Sequence, residues 1–274
     1  MPNFPGSVMG EGACGMEIMD SKVSGQNVTA CIVTFNEEQN IRRCLESVKW
    51  CAEIIVVDSF SMDRTVEIAR EFTDKIIQRE WPGFKAQKEF ARQQGTKKWS
   101  LLLDADEEIS PELKTEIFQA LEESDPAVGY EIPRMVYYLG KWIRHGDWYP
   151  DRKLRLYQKE LGEIDGIDPH DFVNVQGEVR RLKHPIFHYT YDDLTHHLNT
   201  INRFSSIWAD EAMKRGKKAR ISDLVCRPCW KFVRGYLIKG GFLNGRVGFV
   251  VSVMTSFEVW LKYLKLRQRW AVSS

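Results

Sequence analysis

Hydrophobic and polar positions alternate in two rhythms along the first half of the chain. Residues 28–34, Val-Thr-Ala-Cys-Ile-Val-Thr, form a short apolar run that predicts a buried strand. From Glu37 to Trp50 the residues Ile41, Cys44, Leu45 and Val48 recur at helical spacing, which predicts a helix with one apolar face. Residues 53–58 are near-continuously apolar and end in Asp58, as a strand buried on both faces would be. Asp63 to Phe72 reads as a second helix, Lys75 to Gln78 as a short strand and Phe84 to Gln94 as a helix. Residues 99–104 read as a fourth strand, and residues 111–122 as a helix with Leu113, Ile117, Phe118 and Leu121 inward. Strands and helices in alternation imply a parallel sheet with right-handed crossovers.

The rhythm changes after Asp125-Pro126. Tyr130 to Leu139 and Lys153 to Gln158 alternate like strands, and helical spacing returns only with Asp192 to Arg215. That segment carries Leu194, Leu198, Ile201, Phe204, Ile207 and Trp208 on one stripe. A mixed-sheet extension that carries an acceptor side fits the middle segment. The first 26 residues lack a basic start and an apolar core, so they predict an extension rather than a secretion signal.

With 274 residues, 43% of them apolar, the chain can bury one sizeable core. Its net charge of +1 conceals an asymmetry: residues 1–212 carry a net −11 and residues 213–274 a net +12. An acidic body with a basic tail predicts that the tail meets an anionic surface. Cys31 and Cys44 stand at apolar positions and read as buried free thiols. Cys226-Arg-Pro-Cys229 has no second pair to complete a zinc site.

Three predicted strands end in polar clusters: Thr34-Phe35-Asn36-Glu37-Glu38, Asp58-Ser59-Phe60-Ser61-Met62-Asp63, and Asp104-Ala105-Asp106-Glu107. In a parallel sheet these lie along one edge, where open α/β folds bind ligands. Asp104 and Asp106 suit a hard divalent cation that also holds a diphosphate. Acids before Ser110-Pro111 would equally favour a helix entrance, with Ser110 as N-cap. Neither a Gly-x-Gly-x-x-Gly nor a Walker loop occurs, which argues against dinucleotide and P-loop sites.

Taken in order, these clusters, with Gln87-Lys88, Phe90-Ala91 and Arg64-Thr65, resemble the donor-binding half of inverting family 2 glycosyltransferases. The downstream half resembles their bacterial lipopolysaccharide inner-core glucosyltransferase branch. It does so through Trp148-Tyr149-Pro150-Asp151-Arg152-Lys153-Leu154-Arg155-Leu156, Pro169-His170-Asp171-Phe172-Val173 and His184-Pro185-Ile186-Phe187-His188-Tyr189. The resemblance implies a GT-A fold, an α/β architecture with a Rossmann-like, mostly parallel central sheet flanked by helices. The resemblance covers nearly everything from residue 28 to 268; the GT-A domain is expected over residues 27–212, with residues 213–274 as a basic, aromatic-rich helical extension that associates with a membrane. It implies that Glu37 and Asp58 hold the ribose and uracil of a UDP-sugar, with Thr34, Asn36 and Gln87 along the donor site. Asp106 would ligate Mg²⁺ or Mn²⁺, with Asp104 nearby and His188 or His184 approaching the metal. Lys88 and Arg155 would face the phosphates or form ion pairs. Asp171 is the expected base, with Asp168 and Asp165 as alternatives, although Asp165 to Pro169 is also rich in turn formers. His184 reads more simply as structural. Glu89 stands where the family usually has Asn.

The expected acceptor is a lipid-anchored glycan. Residues 230–270 interleave nine aromatics with eight Lys/Arg, a composition suited to helices in an anionic membrane interface. A core-packed helical pair with a solvated face fits part of this segment equally. Its longest uncharged apolar-rich run, Val247 to Phe257, is 11 residues, shorter than the ~20 a bilayer span needs. No nucleic-acid recognition motif accompanies the charge.

Overall fold

A computed structural model describes residues 25–167, 170–191 and 193–273. The predicted extension up to residue 24, the alternative base Asp168 and the expected helix start Asp192 lie outside the described residues. Strands β1 (Val28–Thr34), β2 (Glu53–Asp58), β3 (Ile76–Gln78) and β4 (Trp99–Asp104) pair in parallel, in the order β3-β2-β1-β4. Helices α1 (Ile41–Ser47), α2 (Thr65–Ala69) and α3 (Phe84–Gln94) are the crossovers. Every residue of β1 is buried, because it runs through the middle of the parallel half with helices against both faces.

Beyond β4 the sheet is mixed. It continues through β8 (Asp151–Gln158), β6 (Gly129–Tyr138), β12 (Ile186–His188) and β5 (Glu107–Ile109). The short β7 (Lys141–Trp142) and β11 (Val179–Arg181) pair with β6, while β9 (Gly162–Ile167) and β10 (His170–Val175) form a separate hairpin. Helix α4 (Pro111–Glu122) starts as its sequence predicts: Ser110 accepts the Leu113 N–H, and Pro111 occupies the first turn.

Strand β5 is the element that the pattern conceals. Its three residues sit inside the acidic cluster, yet Glu107 and Ile109 are both buried. Helices α1 and α2 are also shorter than predicted. At α2, Asp63 accepts the backbone and hydroxyl hydrogen bonds of Thr65, so the segment before Thr65 is a cap rather than a helical turn.

The C-terminal part is helical: α5 (Leu194–Lys214), α6 (Ile221–Val233) and α7 (Gly245–Ser273). The expected stripe on α5 needs correction. The buried line is His197, Ile201, Ser205, Ala209 and Ala212, whereas Leu194 and Leu198 are exposed. Small side chains let α7 approach closely, so Leu266 packs against Ala209 and Ala212 and the larger residues flank the contact.

By length and composition the helical stretch Gly241–Val272 could cross a membrane, with a mean hydropathy of 1.3 in its most apolar window and 28% of that window buried. The 11-residue run therefore understates it. Glu258 and Lys262 interrupt the apolar sequence but pair with each other at 2.6 Å, one turn apart. Cys31, Cys44 and Cys51 are buried, and Cys226 and Cys229 are exposed on α6.

Candidate active site

Register places the polar clusters on one edge. Thr34 stands beside Asp58, Asp58 beside Gln78, and Val33 beside Asp104. The first two clusters interlock as a clasp. Asn36 has a left-handed φ of 54°, which Asn tolerates better than most residues. Its N–H donates to Ser61 Oγ and its Oδ1 accepts the Met62 N–H, both at 2.8 Å. The fully buried Asp58 accepts the Ser61 hydroxyl, the Ser61 N–H at 2.9 Å and Gln78 Nε2 at 2.9 Å. Glu37 accepts Asn40 Nδ2 at 2.8 Å, and its N–H donates to Thr65 Oγ1. Gln87, buried on α3, donates to Ser59 Oγ at 3.0 Å, which ties the helix to the clasp. Thr34 Oγ1 and Gln87 Oε1 are buried without a hydrogen-bond partner.

A chain of alternating charges runs beneath the edge. Lys88 Nζ lies 3.1 Å from Asp171 Oδ2 and 3.3 Å from Asp104 Oδ1. Arg155 Nη2 lies 2.8 Å from Asp104 and 2.7 Å from Glu107, and Arg134 then joins Glu107 to Asp151. Burial opposes the charge of Asp104. Lys88, then Arg155 and Arg134, outweigh it and hold the carboxyl well below the usual carboxylate range. Burial likewise opposes the Arg155 cation, but Glu107 and Asp104 hold its pKa above the ordinary value. Lys88 and Arg155 are thus both ion-paired. Arg155 Nε is buried with no partner.

Asp106 lies in the turn between β4 and β5. Strand β12 pairs with β5 and brings His188 Nε2 to 3.1 Å from Asp106 Oδ2. His188 Nδ1 is buried without a partner.

Asp171, on β10, thus joins Asp104 through Lys88, and its side chain is 9% exposed. Asp165 lies on the opposing strand of the same hairpin, across from Phe172, half-exposed and paired with Lys85 at 3.1 Å. His184 meets Glu116 of α4 at 2.9 Å, on an exposed surface. Glu89 binds Arg92 and Gln93 and accepts the Ile164 N–H at 3.2 Å, so it pins the β9–β10 hairpin to α3.

Sequence reasoning missed Glu107, Arg134 and Asp151. Arg134 had a signal, since it is a charge inside an apolar strand and demands a buried partner. Glu107 had none, because it reads as one more acid in an acidic run.

Comparison with known proteins agrees with this geometry. Residues 29–176 match the model of Glycosyl transferase family 2. An uncharacterised glycosyltransferase of Rickettsia typhi is 32% identical over 89% of this chain and 87% of its own. Lipopolysaccharide core biosynthesis glycosyltransferase LpsC of Rhizobium meliloti is 28% identical over 90% of this chain and 94% of its own. A mannosyltransferase of Pyrobaculum calidifontis, solved with GDP-Man and Mn²⁺, shares the fold at a TM-score of 0.52. It covers 88% of this chain and 86% of its own, with 14% identity. A parallel sheet whose strand ends gather these acids, matched over more than half of its length by one family model, makes this chain a family 2 glycosyltransferase of GT-A fold.

Proposed function

We propose that the enzyme transfers a hexose with inversion, glucose from UDP-glucose, onto a lipid-anchored glycan such as a heptose of the lipopolysaccharide core. The observation that carries this reading is the convergence of Asp58, Asp104 and Asp106 at the carboxyl ends of parallel strands, with His188 3.1 Å from Asp106. The likeness to LpsC supports the acceptor class.

In this reading Glu37 and Asp58 hold the ribose and uracil. Asp58 spends three hydrogen bonds on Ser61 and Gln78, of the roughly four a carboxylate can accept. The unpartnered Thr34 Oγ1 and Gln87 Oε1 face the same donor.

Among the described residues, no three metal-ligating side chains cluster. One carboxylate and one imidazole nevertheless fit Mg²⁺ or Mn²⁺, because such ions complete their shells with water and substrate phosphates. The residues that would hold the ion are Asp106 and His188, and the bound ion would offset charge on the departing UDP. Asp104 is committed to Lys88 and Arg155 and supports the site electrostatically.

Asp171 takes the proton of the acceptor hydroxyl as its oxygen attacks the anomeric carbon. The bond from that carbon to the UDP oxygen breaks in the same step, and UDP leaves with the electron pair. Lys88 holds the base and Asp104 at a fixed separation, which keeps attack in line. The basic residues 213–274 then meet the anionic cytoplasmic face of the inner membrane, where such an acceptor is displayed.

The test is nucleoside diphosphate release by the full chain, UDP from a panel of UDP-sugars and GDP from GDP-mannose, with Mn²⁺, Mg²⁺ or EDTA. Release from UDP-glucose that EDTA abolishes is expected. Release from a different donor alone would overturn the glucose assignment, and release that ignores EDTA would overturn the metal assignment.

A further inference from the structure

Helices α6 and α7 form a hairpin whose tip, residues 234–244, is built of a π-helical turn (Arg234–Ile238) and a 3-10 turn (Gly241–Asn244). The tip is compact: Gly248 of α7 has no room for a Cβ against the carbonyl of Gly241, and Ser256 Oγ ties the two arms by donating to Pro228 O. Such a tip would be expected to fold its large side chains inward. Instead, Trp230, Leu237, Ile238, Phe242, Leu243 and Phe249 are 48 to 64% exposed. This is the largest concentration of exposed large hydrophobics among the described residues, and soluble monomers rarely leave such a patch open. Residues 224–257 hold five Lys/Arg and no Asp or Glu. The chemistry of the patch is therefore apolar and cationic together, which complements anionic lipid.

The tip is also fixed to the catalytic half. Asn244 Oδ1 accepts the Arg144 N–H at 3.0 Å, and Asn244 Nδ2 donates to His145 O at 2.9 Å. Gly146 N–H donates to Lys239 O at 3.0 Å, and Asp147 pairs with both Lys231 and Lys239 at 2.9 Å. The loop held in this way runs directly into Asp151, which pairs with Arg134 at the end of the buried charge chain.

We propose that this hairpin tip, residues 230–249, is the surface that seats the enzyme on an anionic lipid leaflet. The proposal rests on the lipid-anchored acceptor described above and specifies which face meets the lipid. The tip lies in the interface rather than threading through it. Helix α7 is held by protein on both halves: at its start by the 144–147 loop, and at its end by α5 through Leu266, Lys265 and Arg269. Insertion of the exposed side chains supplies apolar burial, and the arginines orient the seat. The grip of Asn244 and Asp147 keeps the sugar-transfer edge at a constant height above the lipid.

The test is co-sedimentation of the full chain with phosphatidylethanolamine–phosphatidylglycerol vesicles and with phosphatidylcholine vesicles, alongside donor hydrolysis in the same samples. Binding to the anionic vesicles alone, weakened by salt, is expected. Leu237→Glu with Leu243→Glu should lower that binding at least tenfold and leave hydrolysis of soluble donor unchanged. Arg234→Gln with Arg246→Gln should lower it about 25-fold, at roughly fivefold for each basic residue. Three results would overturn the proposal: wild type that ignores anionic vesicles, variants that bind like wild type, or bound protein that resists extraction at alkaline pH as a spanning helix would. A wild-type dimer that Leu237→Glu dissolves without loss of vesicle binding would reassign the patch to self-association. Vesicle binding that the variants abolish, in a wild type with no donor turnover, would uphold the seat and count against the proposed donor and acceptor on which it rests.

Discussion

Glu107→Gln is the substitution that most directly probes the buried charge chain. Glu107 is completely buried, and its Oε1 lies 3.1 Å from Arg134 and 2.7 Å from Arg155. Its other oxygen accepts the Asp104 N–H at 3.0 Å. Glutamine keeps the shape and one acceptor but presents an amide NH₂ or a neutral carbonyl to two guanidinium groups. Removing one partner of a buried pair costs about 3–5 kcal/mol, mostly because the remaining charge stays desolvated. At ~2–4 °C per kcal/mol for a domain of this size, Tm should fall by roughly 10 °C. The matched control is Glu71→Gln, which breaks the half-exposed bidentate pair with Arg42 and should leave Tm essentially in place. The assay is a reversible thermal melt of the three proteins by circular dichroism, followed by nucleotide binding at a temperature where all are folded. Donor affinity should fall with Glu107→Gln, because Arg155 then rests on Asp104 alone. If Glu107→Gln melts no lower than the control, burial does not set the magnitude and the chain is not a structural keystone.

Asp171→Asn should retain nucleotide binding and lose transfer by ~10²–10⁴; normal turnover would move the base elsewhere. Asp106→Ala should raise the Mn²⁺ concentration needed for half-maximal UDP release at least tenfold, and an unchanged metal titration would remove it from the ligand set. Glu53 is a structural counterpart away from the site. Its side chain is 3% exposed, and it accepts the Thr96 N–H at 2.7 Å and pairs with Lys75. Burial opposes its charge, but Lys75, Thr29 and Thr96 together bring the pKa down from 4.5 to about 2. A folded-state value below the unfolded one means that this stability is present above about pH 4.5 and drains as pH falls toward 2. The contribution is about 3 kcal/mol. Urea unfolding of wild type and Glu53→Gln between pH 2 and 7 should give a steeper acid slope in wild type, and parallel slopes would refute the linkage.

The parallel half was legible because its rule is local. Strand β4 and helices α3 and α4 lie where period and caps predict, since a buried strand needs an unbroken apolar run and Ser110-Pro111 is a start signal in itself. The strand-edge acids followed from that topology. The mixed half was less legible, because β5 and β12 are only three residues long and owe their existence to each other and to β6. That pairing brings His188 to Asp106 across 82 positions of sequence, and the family resemblance had marked His188 where periodicity had not. The stripe on α5 was misread for a related reason: hydrophobicity marks large residues, whereas close helix packing is written in Ser205, Ala209 and Ala212.

The cysteines divide into two chemical populations. Burial raises the thiol pKa of Cys31 to about 11 and lifts those of Cys44 and Cys51 well above the usual value, and a thiol held protonated is a poor nucleophile. Cys226 and Cys229 are open to solvent on the arm that leads to the hairpin tip. A maleimide fluorophore added to the folded chain therefore discriminates among the described cysteines by itself. With Cys14 replaced by Ser, it leaves the core thiols dark and lights the α6 arm, so that arm carries its own optical reporter beside the surface proposed to meet lipid.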